Sequence, residues 1–133
     1  MEAQLRDALL VAAGGGAGAV ARWLLSGVVQ GRAPPYLPLG TVAVNVLGSL
    51  LLGFVMGAAR VAGLFTREQR LLLATGFAGG FTTFSTFSYE FFTLALEAPL
   101  YGLLYLAANI IGGLAAVYAG YVAAGVLYAG RPG

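Results

Sequence analysis

One run of sequence, residues 76–90, most constrains what this chain can fold into. It reads GFAGGFTTFSTFSYE and lies inside an apolar stretch long enough to cross a lipid bilayer. Paired glycines and consecutive Ser and Thr residues are poor helix formers, yet hydrocarbon penalises every backbone N–H and C=O that lacks a partner. The run therefore predicts a broken membrane helix whose irregular backbone lines a transport or ion-binding site.

The composition indicates a helical membrane protein. Hydrophobic residues make up 59% and charged residues 9% of the 133 residues, and the mean hydropathy is +0.87. A soluble domain is improbable at these values. The chain has no cysteine and no histidine, which removes disulfides, thiol and imidazole catalysis and the usual zinc ligands, so we predict that it is not an enzyme. A net charge of +2 without a basic patch gives no nucleic-acid signal.

Four segments are long enough to span a membrane, which takes about 20 apolar residues in a helix. They are residues 8–29, 39–59, 71–96 and 99–127, joined by short connections rich in proline or charge. Before the third segment, Thr66 and Gln69 fit a capping box. No internal repeat is visible. Residues 1–133 are therefore predicted to form one all-α transmembrane domain of four helices, with a break in helix three.

Small residues recur four positions apart and predict close helix packing in lipid. They are Gly14 with Gly18, Gly53 with Gly57, Gly76 with Gly80, and the series Gly112, Ala116, Gly120 and Ala124. Four short spans are too few to enclose an aqueous path, so we also expect a homodimer or a larger assembly.

Several polar and aromatic residues inside the spans are candidates for an ion path. Asn45 can donate hydrogen bonds without the cost of a buried charge, either to a passing anion or to a neighbouring helix. Phe84 and Phe87 share a helix face, and the positive edges of their rings could attract an anion, although a Phe stripe is more often core. Hydroxyls interleave with the rings and favour the ion path. They belong to Thr82, Thr83, Ser85, Thr86 and Ser88.

Two charges lie within or near the membrane. Arg22, near the end of helix one, either draws anions into a vestibule or holds helix ends together, and Glu90 is interpreted as structural. On helix four, Tyr105 and Asn109 are four residues apart and share a face. They either continue the polar path or make an ordinary interhelical bond.

Three motifs together resemble the Fluc fluoride channels, also called CrcB proteins. They are GGAGAVAR ending at Arg22, GTVAVNVLGS around Asn45 and GGFTTFSTF ending at Phe87, and the similarity spans nearly the whole chain. The resemblance implies a passive fluoride channel that exports fluoride to relieve its toxicity from the bacterial inner or plasma membrane. It further implies an antiparallel, dual-topology dimer with two pores and a central structural sodium ion.

The resemblance also implies roles for single residues. Asn45 would be a fluoride ligand, Phe84 and Phe87 the aromatic box, and the backbone carbonyls of Gly79 and Thr82 the ligands of Na⁺. Thr83, Ser85, Tyr105 and Asn109 would continue the pore. Further along helix four, where some members have a hydroxyl, this chain has Gly113.

Two alternative functions and the orientation stay open at this point. A small dimeric coupled exporter would need a membrane carboxylate, for which Glu90 is the candidate, and a structural membrane subunit would leave the Asn and Phe/Thr pattern unexplained. Five arginines fall on one side and Arg32 on the other, so the positive-inside rule predicts cytoplasmic termini. The five are Arg6, Arg60, Arg67, Arg70 and Arg131. If the dimer is antiparallel, either helix packing overrides this bias or the chain pairs with an oppositely oriented homologue.

Overall fold

A computed structural model describes residues 1–130, which are helical apart from short connections and contain no strand. Arg131 lies outside the described residues. The helices are α1 (Glu2–Gln30), α2 (Leu39–Ala62), α3 (Arg67–Arg70), a π-helical stretch (Leu71–Ala78), α4 (Gly79–Phe81), α5 (Phe84–Glu97) and α6 (Pro99–Tyr128). Each predicted span falls on one of four helical segments, and the third segment is broken after Phe81, as predicted.

Three of the described helices are long and apolar enough to cross a membrane: α1, α2 and α6. The third segment, residues 67–97, runs continuously from α3 through the π-helical stretch and α4, then is interrupted at Thr82 and Thr83 before α5 begins. Because of this interruption, neither of its halves reaches the length of an unbroken span.

Several helices approach each other closely at glycine residues. A Cβ added at Gly14 would overlap the Leu72 carbonyl oxygen, and one at Gly53 would overlap that of Val117. The largest fully buried side chains are only Val44 and Val55. This is the packing expected in lipid, where close backbone approach rather than hydrophobic burial brings helices together. The predicted role of the small residues as helix contacts is confirmed at these positions.

The π-helical stretch was not predicted. Within it the backbone bonds are one residue longer than in an α-helix, as shown by the Gly79 N–H donating to the Ala74 carbonyl. Short π-helical insertions occur mostly at functional sites. Here the stretch lies directly before the break and against α1, where Gly14 and Gly76 allow the two backbones to touch.

Polar contacts fasten the start of the third segment to the start of α1. Arg6 pairs with Glu68 at 3.0 Å and Arg67 with Asp7 at 2.6 Å. A hydrogen bond from its own backbone N–H, helped by the charge of Arg6, lowers the pKa of Glu68. The predicted capping box is confirmed, since Thr66 Oγ1 accepts from Gln69 N–H and Gln69 Oε1 accepts from Thr66 N–H.

Candidate functional site

The site is built around the interruption of the third segment. Thr82 and Thr83 have extended backbones, with φ/ψ of −89°/159° and −148°/120°. On the near side, the Thr82 hydroxyl donates to the Ala78 carbonyl at 3.0 Å, and on the far side the Thr83 hydroxyl accepts from Thr86 N–H and caps α5. The Thr83 hydroxyl satisfies one of the free N–H groups at the start of α5, which favours a new helix beginning here.

Asn45 on α2 bonds to both main-chain groups of the break. Its Oδ1 accepts from Thr83 N–H at 2.8 Å, and its Nδ2 donates to the Thr83 carbonyl at 3.2 Å. In a continuous helix, Thr83 N–H would donate to the Gly79 carbonyl instead. The Asn45 side chain therefore accepts the Thr83 N–H that the Gly79 carbonyl would accept in a continuous helix.

Arg22 satisfies a neighbouring carbonyl of the break. Its Nε donates to the Gly80 carbonyl at 3.1 Å, and the side chain also lines a small cavity. The sequence left two roles open for Arg22, a vestibule for anions and a link between helix ends. In the structure its guanidinium links α1 to the break and also lines the small cavity.

A chain of hydrogen bonds runs from the break to α6 and on to α5. Asn45 Nδ2 also donates to Asn109 Oδ1 at 2.8 Å, so both of its hydrogens are engaged. Asn109 Nδ2 in turn donates to the Tyr105 carbonyl, and Tyr105 Oη–H donates to Glu90 Oε2. Tyr105 and Asn109 are both buried, as their shared helix face predicts.

Two cavities meet at the break, and Thr83 lines both. The first is a groove of about 720 Å³ that is open on the surface of the single chain, and the second has a volume of about 200 Å³. The polar residues of the groove are Asn45, Ser49, Thr75, Thr82, Thr83, Asn109 and Tyr121. The polar residues of the small cavity are Arg22, Ser26, Gln30, Thr41, Thr83, Thr86 and Glu90.

The two phenylalanines both line the groove but differ in burial. Phe84 is 76% exposed and Phe87 only 5%. Their ring centroids are 5.6 Å apart in an edge-on arrangement with an interplanar angle of 62°, and the Phe87 ring also lies 5.6 Å from that of Tyr105. The rings therefore form a short aromatic series from the open groove into the protein.

The structure gathers most but not all of the predicted site residues. Asn45, Thr83, Phe84, Phe87 and Asn109 line the groove. Ser85 is exposed and lines neither cavity. Tyr105 also lines neither cavity, and it contributes through its bonds to Asn109 and Glu90.

Two residues that line the small cavity, Glu90 and Thr41, were not predicted from the sequence to do so. Both line the small cavity, and Glu90 is also the end of the hydrogen-bond chain from Asn45. A signal for Glu90 was present in the sequence, because a carboxylate inside a membrane segment is costly unless it is paired or faces water. Thr41 gave no such signal.

A cation at the break would have to be held by backbone oxygen. Within residues 1–130, no group of three or more His, Cys, Asp or Glu side chains could hold a metal ion. Gly79 and Thr82 do line the groove, and Gly79 is exposed. The carbonyl of Gly79, which lacks its helical donor, fits a cation that binds main-chain oxygen.

Comparison with known proteins decides the family. The family model described as CrcB-like protein, Camphor Resistance (CrcB), matches residues 9–121. The chain belongs to the CrcB family. This CrcB protein is 46% identical over 127 residues to a fluoride-specific ion channel FluC of Methanopyrus kandleri, with 95% of each chain covered.

Two further relatives carry the same name. The fluoride-specific ion channel FluC of Pyrococcus furiosus is 48% identical over 123 residues, which cover 90% of the CrcB chain and 97% of the relative. That of Chlorobium luteolum is 47% identical over 117 residues, which cover 87% and 90%. The resemblance drawn from the sequence motifs is thereby confirmed.

Family membership also settles the broad class of the CrcB protein. Its relatives are named as ion channels, which are not enzymes, in agreement with the prediction of no enzymatic activity. Together with three helices long and apolar enough to cross a bilayer, this makes the chain a multi-pass membrane protein.

Proposed function

We propose that this protein is a passive fluoride channel, which exports fluoride and so relieves its toxicity. One observation carries the proposal: the Asn45 amide, the broken backbone at Thr83 and the Asn109 amide meet in an open groove of an otherwise apolar membrane protein. Polar groups at membrane depth are retained where they serve an ion or substrate path. The names of the relatives supply the ion.

Fluoride binds in this proposal as a hydrogen-bond acceptor. It is small and strongly hydrated, so a pore must replace its water shell with well-placed donors. Both hydrogens of Asn45 Nδ2 are engaged by oxygen acceptors, the Thr83 carbonyl and Asn109 Oδ1. Fluoride takes the place of one of these acceptors, and Asn109 Oδ1 is the one on a side chain that can turn away. Asn109 can then present its own N–H groups to the ion.

The aromatic rings guide the ion without holding it tightly. A Phe ring carries a negative face and a positive edge, so the edges of Phe84 and Phe87 attract an anion weakly. The small cavity with Arg22 serves as the vestibule, and Thr83 lies between this vestibule and the groove.

A second copy of the chain completes the channel. A groove lined by Asn, Ser and Thr side chains cannot face hydrocarbon cheaply, and its openness in the single chain favours a partner that covers it. We propose an antiparallel dimer with two pores, formed with an identical chain or with an oppositely oriented homologue. Each chain crosses the membrane four times, with the third crossing in two halves.

A central Na⁺ stabilises that dimer in the proposal. The carbonyls of Gly79 and Thr82 from both copies would hold the ion, and it would neutralise oxygen atoms that the broken helix leaves without donors. Its role would be structural, because it would hold main-chain oxygen atoms of the two copies together and would take no part in conduction.

Ion efflux from liposomes tests the function. Purified protein is reconstituted into liposomes loaded with potassium fluoride or potassium chloride, valinomycin is added, and an ion electrode records release. We expect rapid fluoride efflux and chloride efflux no faster than from protein-free liposomes. Comparable release of the two halides would refute the proposal, and fluoride release that requires a proton gradient would favour a coupled exporter that uses Glu90.

A further inference from the structure

Ser49 on α2 differs from four other hydroxyl residues of the membrane helices. Ser26, Thr82, Ser88 and Thr93 each donate to a carbonyl three or four residues earlier in their own helix. This is the usual way in which a hydroxyl is satisfied in a membrane helix. Within residues 1–130, the Ser49 hydroxyl makes neither this bond nor any other. Ser49 is half-buried, and it lines the groove.

The position of Ser49 follows from the register of two parallel helices. Asn45 on α2 bonds to Asn109 on α6, and one turn further along each helix Ser49 faces Gly113. Ser49 therefore shares a helix face with Asn45. A Cβ added at Gly113 would lie 3.6 Å from Ser49 Oγ, which is ordinary contact distance. Gly113 thus leaves open the space into which the Ser49 hydroxyl can turn.

The free Ser49 hydroxyl can supply a hydrogen bond that Asn45 cannot. The Asn45 amide has no hydrogen to spare, because Thr83 and Asn109 accept both. An ion that approaches Asn45 along the groove needs donors before it can displace one of these bonds. An uncharged O–H one turn away supplies such a donor without the cost of a buried charge.

We infer that Ser49 is a fluoride ligand, one helical turn from Asn45, at a level of the path where α6 offers no side chain. The inference rests on the proposed function, since it assigns a second donor to the same path. In this proposal the Ser49 hydroxyl binds the ion directly, since the facing residue of α6, Gly113, has no side chain that could do so.

The test moves the hydroxyl from one helix to the other. Fluoride efflux is measured in liposomes for the parent protein, Ser49→Ala, and the double variant Ser49→Ala with Gly113→Ser. We expect the alanine variant to lose flux by about tenfold or more, as loss of one hydrogen bond to an ion implies. The double variant regains most of it, because its new hydroxyl points into the same space. Thr93→Val, which removes a hydroxyl bonded to the Glu90 carbonyl, keeps the parent's flux.

The results distinguish failure of the Ser49 inference from failure of the proposed function. A Ser49→Ala variant that conducts like the parent overturns the inference but not the proposed function, and so does a loss that the double variant fails to restore. A parent protein that does not conduct fluoride refutes the proposed function itself. Size-exclusion chromatography and thermal unfolding check that each variant folds. If the alanine variant does not, Ser49→Cys, which has nearly the same shape but a weak donor, replaces it with the same expected loss.

Discussion

The Asn45 carboxamide bonds to both main-chain groups of Thr83: it accepts from the N–H at 2.8 Å and donates to the carbonyl at 3.2 Å. The two residues are 38 positions apart in the chain and belong to different segments. The orientation of the amide is fixed by this contact, because only its oxygen can accept from Thr83 N–H. The conformation of the break therefore depends on a residue of α2.

Asn45→Asp should keep the hydrogen bond that residue 45 accepts and remove the two that it donates. A carboxylate keeps the acceptor for Thr83 N–H but turns the two donated bonds into contacts between oxygen atoms. We expect fluoride flux to be lost and the stability of the folded protein to fall by about 1–3 kcal/mol, the cost of unpaired buried polar groups. Efflux assays and thermal unfolding in detergent measure the two effects. Gln4→Glu makes the same chemical change at an exposed position and should alter neither; an Asn45→Asp protein as active and stable as the parent would contradict the role given to the amide.

Phe84→Ile and Phe87→Ile should differ in stability but agree in function. Phe84 is 76% exposed and Phe87 5% exposed, so only the change at Phe87 disturbs a packed core. We expect Phe87→Ile to cost about 1–3 kcal/mol and Phe84→Ile little in the single chain. Both lose the positive ring edge, and both should cut fluoride flux sharply.

Size-exclusion chromatography shows whether these two variants keep the parent's assembly, and efflux is compared only for those that do. Phe92→Ile is the matched control, because Phe92 is an exposed aromatic residue of the same helix that lines neither cavity. Parent-like conduction by both Phe84→Ile and Phe87→Ile would show that the rings serve packing alone.

The sequence was enough to predict features that depend on local composition. The run around Gly79 and Thr82 predicted the break because glycine and Thr residues weaken a helix wherever they occur. Asn45 and Phe87 were predicted as site residues because polar and aromatic groups stand out in apolar spans. What the sequence could not supply is register between segments: the Asn45 bonds to Thr83 and the bond from Tyr105 to Glu90 require helices that are far apart in the chain to meet at one level. The exposed position of Ser85, outside both cavities, could not be predicted for the same reason, since the break resets which face of α5 points toward the groove.

Glycine contacts between α2 and α6 should be essential for folding, unlike a glycine with open space around its α-carbon. A Cβ at Gly53 would overlap the Val117 carbonyl oxygen, whereas one at Gly125 would meet nothing within 4 Å. We expect Gly53→Ala to push the helices apart, with a loss of about 1–3 kcal/mol and a lower unfolding temperature. Gly125→Ala should be neutral or slightly stabilising, because alanine is the better helix former. Thermal unfolding in detergent, followed by the fluorescence of Trp23, compares the two. Equal unfolding temperatures would show that the α2–α6 contact yields easily.

The proposed sodium site predicts which substitutions at the break leave sodium binding intact. Thr82 would contribute its carbonyl, while its hydroxyl already donates to Ala78. Thr82→Ala should therefore retain the ion, whereas Thr83→Pro, which removes the N–H that Asn45 accepts, should disturb the backbone and lose it. A well-resolved density map of the dimer in sodium is the measurement. We expect short contacts from the Gly79 and Thr82 carbonyls of two opposed copies, on the symmetry axis and away from both anion paths. An empty site, a peak with the long contacts of water, or a parallel arrangement of the two copies would each rule the sodium site out.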